Sequence, residues 1–397
     1  MTDCHHASAA DLCDPLPLVQ DLIRCRSVTP DEAGAIAVLE KALHVLGFSC
    51  TRLPFQDMGT PDVVNLYAQR GQQGPTLCFA GHVDVVPPGS RDDWAFDPFA
   101  AHVEDGILYG RGASDMKGAI AAFVAATARF IAEQGDCPGS IAFLITGDEE
   151  GPAINGTRKV LSWLAEQNIS LDYCVVGEPT NSDVLGDTLK IGRRGSLSGE
   201  LVVHGAQGHV AYPQEADNPL PRLLRLLQAL TATPLDQGAA HFDPSRLELT
   251  SINAPLIAGN VTPALAKATF NIRFNPCHTA VSLEKTVRDI LASVGFDPGT
   301  YALTVRCSGE AFITPENDFS RLVGRAIGDM TGHVPVYSTS GGTSDARFIK
   351  DVCPVVEFGL IRKTIHKVNE SCTLKDLENL TRIYHRVLSQ FFGQETG

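Results

Sequence analysis

Three short apolar runs in the first half of the chain stop abruptly at polar residues: TLCFAGHVDVV (76–86), SIAFLITGDEE (140–150) and DYCVVGEPT (172–180). Runs of this length without alternation are what strands buried on both faces look like. Between the first two, MKGAIAAFVAATARFIAEQ (116–134) is rich in Ala and long enough for a helix. Strand, helix and strand in that order predict an α/β fold with a mixed, mostly parallel sheet flanked by helices. In such sheets the binding crevice lies beyond the carboxyl ends of the strands, where the polar tails of the three runs fall. His82, Asp84, Asp115, Glu149, Glu150 and Glu178 are therefore candidates for one site.

The pattern changes near Gly195. SLSGELVVHG and ATFNIRFNP read as strands, while NPLPRLLRLLQAL and SLEKTVRDILASVG read as amphipathic helices, the look of a small α+β insertion. After about Cys307 the earlier pattern resumes, with further polar clusters at SGGTSDARF (340–348) and TIHKVNE (364–370). At 397 residues and 44% hydrophobic composition, the chain exceeds what one domain usually holds. The expected organisation is a discontinuous catalytic domain, 1–193 and 307–397, with an inserted lobe at 194–306.

A formal net charge of -14 argues against bulk attraction to nucleic acid or to an anionic membrane, both of which need a basic surface. The 11 cysteines are scattered with no C-x-x-C pair, which suits buried thiols in a reducing cytosol better than a disulfide framework or a zinc finger. The opening MTDCHHASAADLCDPLPLV lacks a basic stretch followed by an apolar run, and no later run suits a membrane span, so a soluble cytoplasmic protein is expected. His5 and His6 read as a weak pair in a loose terminus, without functional weight.

A pair of divalent metals needs oxygen and imidazole ligands from separate elements, with a carboxylate able to bridge. His82 and Asp84 lie two apart and face the same side of a strand, so Asp84 either ligates or orients the imidazole, the second being preferred. Asp115 precedes a helix and suits the bridge. The adjacent acids Glu149 and Glu150 are costly side by side unless a cation or a proton separates their roles. One natural division has Glu150 binding metal and Glu149 acting as general base on water, with Glu178 and His366 completing the shells. Singly, each has a plainer reading: a surface histidine for His366, a helix cap for Asp115, a solvated loop for the two glutamates, a loop histidine for His209.

Taken together, GHVDVVPPG, GRGASDMKG, TGDEEG, VGEPT, GRRGSL, HGAQGHVAYP, ADNP, SGGTSDARF and IHKVNE, in this order, resemble the zinc-dependent aminoacylase and carboxypeptidase family over nearly the whole chain. The resemblance implies a dizinc exopeptidase-like fold with an inserted dimerisation lobe, and two Zn2+ per subunit, with Co2+ an alternative. It makes His82 and Glu178 ligands of one ion, Glu150 and His366 ligands of the other, and Asp115 the bridge. Asp84 becomes the carboxylate orienting His82, Glu149 the general base, and His209 the histidine that meets the oxyanion from the partner subunit of a homodimer. Arg193, Arg194, Tyr212, Asn260, Arg273, Gly341, Gly342 and Thr343 become contacts for an anionic small-molecule substrate, guanidinium pairing bidentately with carboxylate.

The implied reaction is hydrolysis of N-succinyl-LL-2,6-diaminopimelate to succinate and LL-2,6-diaminopimelate in lysine and diaminopimelate biosynthesis, with deacetylation of acetylornithine or hydrolysis of another N-acyl amino acid as the alternative and a catalytically silent metal-binding relative as the reading from a different class. Two positions depart from the family pattern. Val83 stands where Thr is usual, and Arg362, followed by Lys363, stands where Asn is usual four residues ahead of His366, placing added cations near the expected site.

Overall fold

The computed structural model describes residues 8–255 and 258–393, so His5 and His6 lie outside the described residues. The chain divides into two compact units. One comprises Met1–Ile191, Thr314–Ser338 and Ser344–Gly397; the other comprises Gly192–Ile313 and Thr339–Thr343.

The first unit is built on an 8-stranded sheet. Its order is Ser49–Phe55, Val63–Arg70, Ser140–Thr146, Thr76–His82, Tyr173–Val176, Val355–Glu357, Thr188–Lys190 and Val336–Ser338. The middle of the sheet is parallel, and antiparallel pairs join Ser49–Phe55 to Val63–Arg70 and Val63–Arg70 to Ser140–Thr146. The chain therefore has the mixed, mostly parallel sheet flanked by helices that its apolar runs predict. Every residue of Thr76–His82 and of Ser140–Thr146 is buried, as two-sided coverage requires.

Helix Lys117–Gln134 is buried almost throughout its first three turns, and Phe123 meets Phe79 of the central strand at 4.5 Å and Tyr384 of helix Leu374–Phe392 at 5.3 Å. Its approach to the strand ends depends on two glycines. A Cβ at Gly81 would stand 2.6 Å from the Met116 methyl, and one at Gly177 would stand 2.7 Å from the same atom. Overlap of that size costs about 1–3 kcal/mol or forces the backbone aside. Register completes the arrangement. His82 pairs with Thr146, and Ala80 with Val176, so the tails carrying His82, Glu149, Glu150 and Glu178 leave the sheet at one edge.

The second unit has a 4-stranded antiparallel sheet ordered Arg246–Asn253, Leu265–Phe274, Gly195–His204 and Tyr301–Gly309. Burial alternates strictly along Leu265–Phe274, the signature of a sheet covered on one face. Helices Pro219–Ala232 and Ala280–Ser293 supply that cover through Leu223, Leu226, Leu230, Leu283, Val287 and Leu291, against Leu201, Phe270 and Phe274. Thr339–Thr343 groups with this unit: Arg193 donates to the Gly342 carbonyl at 3.1 Å, and the Thr339 hydroxyl donates to the His241 carbonyl. Among the described residues no helix is long and apolar enough to cross a membrane, and the described cysteines are free thiols.

Candidate metal centre

His82 ends the central strand, fully buried. Its Nδ1 lies 2.8 Å from the main-chain carbonyl of Asp84, which can only accept, so the proton sits on Nδ1 and the Nε2 lone pair faces inward. Nε2 stands 3.2 Å from Asp115 Oδ1 and 3.5 Å from Glu178 Oε1. The other carboxylate oxygen of Asp115, Oδ2, lies 3.2 Å from His366 Nε2, which also meets Glu150 Oε1 at 2.8 Å. Asp115 is thus shared between two imidazoles. In each of the sets His82/Asp115/Glu178, Asp115/Glu150/His366 and His82/Glu149/Glu150, the donor atoms lie within 4.8 Å of one another.

The electrostatics describe a site built around positive charge. Burial pushes the Glu149 carboxyl well up, and the neighbouring Glu178 adds to it. Burial also raises Asp84, to about 6. Burial would raise Asp115 too, yet hydrogen bonds with His366 and His82 outweigh it and hold Asp115 below the ordinary carboxylate range. Hydrogen bonds with Asp115 and Glu150 raise His366 to about 10, and His82 is held well above its ordinary value by Asp115 and Glu178 despite its burial. Divalent ions held between these groups would give each centre one imidazole and two carboxylates, a donor set that suits zinc and its neighbours and leaves a coordination position open.

The role of Asp84 differs from the sequence expectation. Its carboxylate stands 3.7 Å from His82 Nδ1 and instead accepts the main-chain N–H groups of Glu149 at 3.2 Å and Glu150 at 3.0 Å. It is the carbonyl of Asp84 that orients His82, while the carboxylate fixes the turn carrying the paired glutamates. Val83 is buried, consistent with pointing away from its neighbours at 82 and 84. Arg362 and Lys363 are exposed and engaged locally: Arg362 donates to Ser182 Oγ at 2.9 Å, and Lys363 pairs with Asp183 at 2.9 Å. They tie the His366 segment to the loop after Glu178, so Lys363 is not an unpaired cation.

In the second unit His209 lies on a two-residue strand paired with Val261–Thr262. Its Nδ1 accepts the Ala211 N–H at 3.0 Å, and its Nε2 lies 3.2 Å from the Asn260 side-chain amide nitrogen. The exposed Tyr212 ring lies 5.7 Å away. Arg194 and Arg273 form a separate cationic patch. Burial and the neighbouring Arg194 pull Arg273 below its ordinary value. Buried Arg194 Nε and Arg273 Nη1 find no hydrogen-bond partner among the described residues, which suits an anion. Gly341 and Gly342 are exposed beside Thr343, with Gly341 at a φ of 106°.

Sequence reasoning missed the buried groups that organise these loops. The carboxylate of Asp148 accepts the N–H groups of Ala153, Ile154 and Asn155, and Glu370 with Arg111 forms a buried pair at 2.6 Å. Both lie inside the motif segments, but nothing in their spacing reveals such partners.

A mixed, mostly parallel sheet with two carboxylate and imidazole sets sharing one aspartate suits a metallo-hydrolase. The chain belongs to the Peptidase family M20/M25/M40, which it matches over residues 78–390. At higher similarity it resembles the succinyl-diaminopimelate desuccinylases. It is 56% identical to that of Rhodospirillum centenum over 380 residues, 96% of this chain and 98% of the relative. It is 54% identical to that of Parvibaculum lavamentivorans over 388 residues, 98% of each. Among solved structures, the M20 family metallo-carboxypeptidase Sso-CP2 from Sulfolobus solfataricus superimposes with a TM-score of 0.78 at 16% identity, covering 96% of this chain and 100% of that one. The YXEP protein of Bacillus subtilis, a dinuclear metal binding peptidase of the M20 family, does so with a TM-score of 0.70 at 14% identity, covering 97% and 100%.

Proposed function

We propose that this protein hydrolyses N-succinyl-LL-diaminopimelate to succinate and diaminopimelate, using two divalent metal ions. The observation that carries the chemistry is Asp115, whose two oxygens face His82 and His366 separately. The substrate follows from the name shared by relatives at 54–56% identity over nearly the full chain. His82, Asp115 and Glu178 would hold one ion, and Asp115, Glu150 and His366 the other, with zinc the proposed metal and cobalt its substitute. When bound, such ions polarise an amide carbonyl and make water easier to deprotonate.

Glu149 takes the proton of the attacking water and delivers it to the departing amine, while the water oxygen joins the succinyl carbon. Arg194 and Arg273 are proposed to pair with substrate carboxylates, and Arg193, Tyr212, Asn260 and the loop Gly341, Gly342 and Thr343 to complete their recognition. The partner subunit's His209 is proposed to donate from Nε2 to the developing oxyanion. A homodimer through the second unit is favoured by the edge strand Arg246–Asn253, whose outer side lacks a strand partner among the described residues and exposes Leu249 and Ile252. The proposed setting is the cytoplasm.

The test is hydrolysis of N-succinyl-LL-diaminopimelate against N-acetylornithine at matched concentration, with zinc and with chelator. Chelator-sensitive preference for the succinyl compound is expected. Preference for acetylornithine would overturn the substrate assignment, and activity indifferent to chelator would overturn the metal mechanism.

A further inference from the structure

Asp115 sits at the end of a tight turn, Gly110 to Asp115, that belongs to no strand or helix. Such a segment keeps its geometry only if its N–H groups are satisfied by something rigid. Here that partner is the carboxylate of Glu370, fully buried. Its Oε1 accepts the N–H groups of Gly112 at 3.1 Å, Ser114 at 3.0 Å and Asp115 at 3.1 Å, and its Oε2 accepts from Arg111 Nη1 at 2.6 Å. The Glu370 carbonyl accepts the Gly110 N–H at 2.9 Å. Arg111 is itself enclosed, stacking over the Trp94 ring at 5.3 Å and donating to the Lys367 carbonyl at 3.2 Å.

The same stretch of chain carries His366, whose φ of 58° lies in the left-handed region that costs a non-glycine residue about 1–3 kcal/mol. Thr364 Oγ1 bonds the Ser371 carbonyl and Asn369 Oδ1 accepts the Ala95 N–H, holding the loop in that shape. One carboxylate therefore joins the turn that presents the shared aspartate to the loop that presents the second imidazole.

We propose that Glu370 is a positioning residue for both metal centres, setting Asp115 between His82 and His366. This rests on the two-metal reading given above. Because Asp115 belongs to both proposed ligand sets, displacing its turn weakens both ions together, whereas Glu178 and Glu150 each belong to only one of the two sets that share Asp115. Glutamine is a discriminating replacement. An amide directs its oxygen either at the three main-chain N–H groups or at Arg111, and its NH2 then confronts the other donors.

The test is calorimetric titration of chelator-stripped wild type, Glu370→Gln and Glu370→Asp with Zn2+, with the thermal midpoint of each stripped protein measured alongside. Wild type should take up two ions. Glu370→Gln should bind both about 10- to 100-fold more weakly, the range seen when groups supporting metal ligands are removed. Glu370→Asp, which keeps the charge on Arg111, should fall between. Two ions bound by folded Glu370→Gln with wild-type affinity would overturn the proposal. If Glu370→Gln does not fold, Glu370→Asp decides: weakened binding of both ions at an unchanged midpoint supports positioning, and unchanged affinity refutes it. Failure of wild type itself to bind two ions would sink the two-metal reading instead.

Discussion

Replacing Asp84 with Asn separates two ways in which this aspartate could serve the centre. Its carboxylate is buried, with one oxygen 3.2 Å from the Glu149 nitrogen and the other 3.0 Å from the Glu150 nitrogen. Asparagine keeps one acceptor and turns an NH2 toward the second N–H, so one charge-assisted hydrogen bond is lost. Such bonds contribute about 1.5–3 kcal/mol each. Carried into placement of the Glu149–Glu150 turn, that energy corresponds to about 10- to 150-fold in affinity or rate. The orientation of His82 should survive, because its Nδ1 bonds the Asp84 carbonyl and not the side chain. Titration of stripped Asp84→Asn with Zn2+ should therefore show one weakened ion, at Asp115/Glu150/His366, and one retained, with kcat reduced as Glu149 loses its anchor. Retention of both ions and of wild-type kcat, or selective loss at the His82 set identified by its combination with Glu178→Gln, would refute the reasoning.

Glu149→Gln should keep both metals, since Glu149 is dispensable to the two sets that share Asp115, while turnover drops about 10²- to 10⁴-fold; metal analysis beside an activity assay checks both halves. His209→Ala should leave a dimer of normal mass in ultracentrifugation with kcat lowered, and wild-type rates would remove it from oxyanion contact. Asp187 accepts the N–H groups of Ser182, Asp183 and Val184, and these bonds with the Thr188 hydroxyl hold it below its ordinary pKa of 3.8 although burial opposes them. A depressed acid stabilises the fold above its unfolded pKa and loses that contribution as pH falls through the folded value. The stability gap between wild type and Asp187→Asn in urea should therefore be full at neutral pH and close below about 3.8; a gap that persists in acid would contradict the assignment.

Much of the grouping of the candidate donors was legible because the buried parallel strands leave a strong trace. A run such as TLCFAGH has no polar face to offer water, so where polarity begins the strand has ended, and the sheet edge collects those endings. The helix after Asp115 was equally visible in its small apolar residues. The segments of the second unit carried their own periods, alternating in Leu265–Phe274 and amphipathic in Pro219–Ala232. The grouping of Thr339–Thr343 with that unit had no such signal, since it depends on single bonds from Arg193 and Thr339.

The sequence by itself determined which donors exist and which end of each strand bears them, for both follow from local burial patterns repeated every residue or two. Which atoms meet was decided by tertiary structure alone. Spacing could not choose between the carbonyl and the carboxylate of Asp84 as the partner of His82. Nor could it show that Glu370 serves Asp115, from which 255 residues separate it. A buried carboxylate must satisfy its oxygens wherever the fold brings donors, and that pairing has no period along the chain.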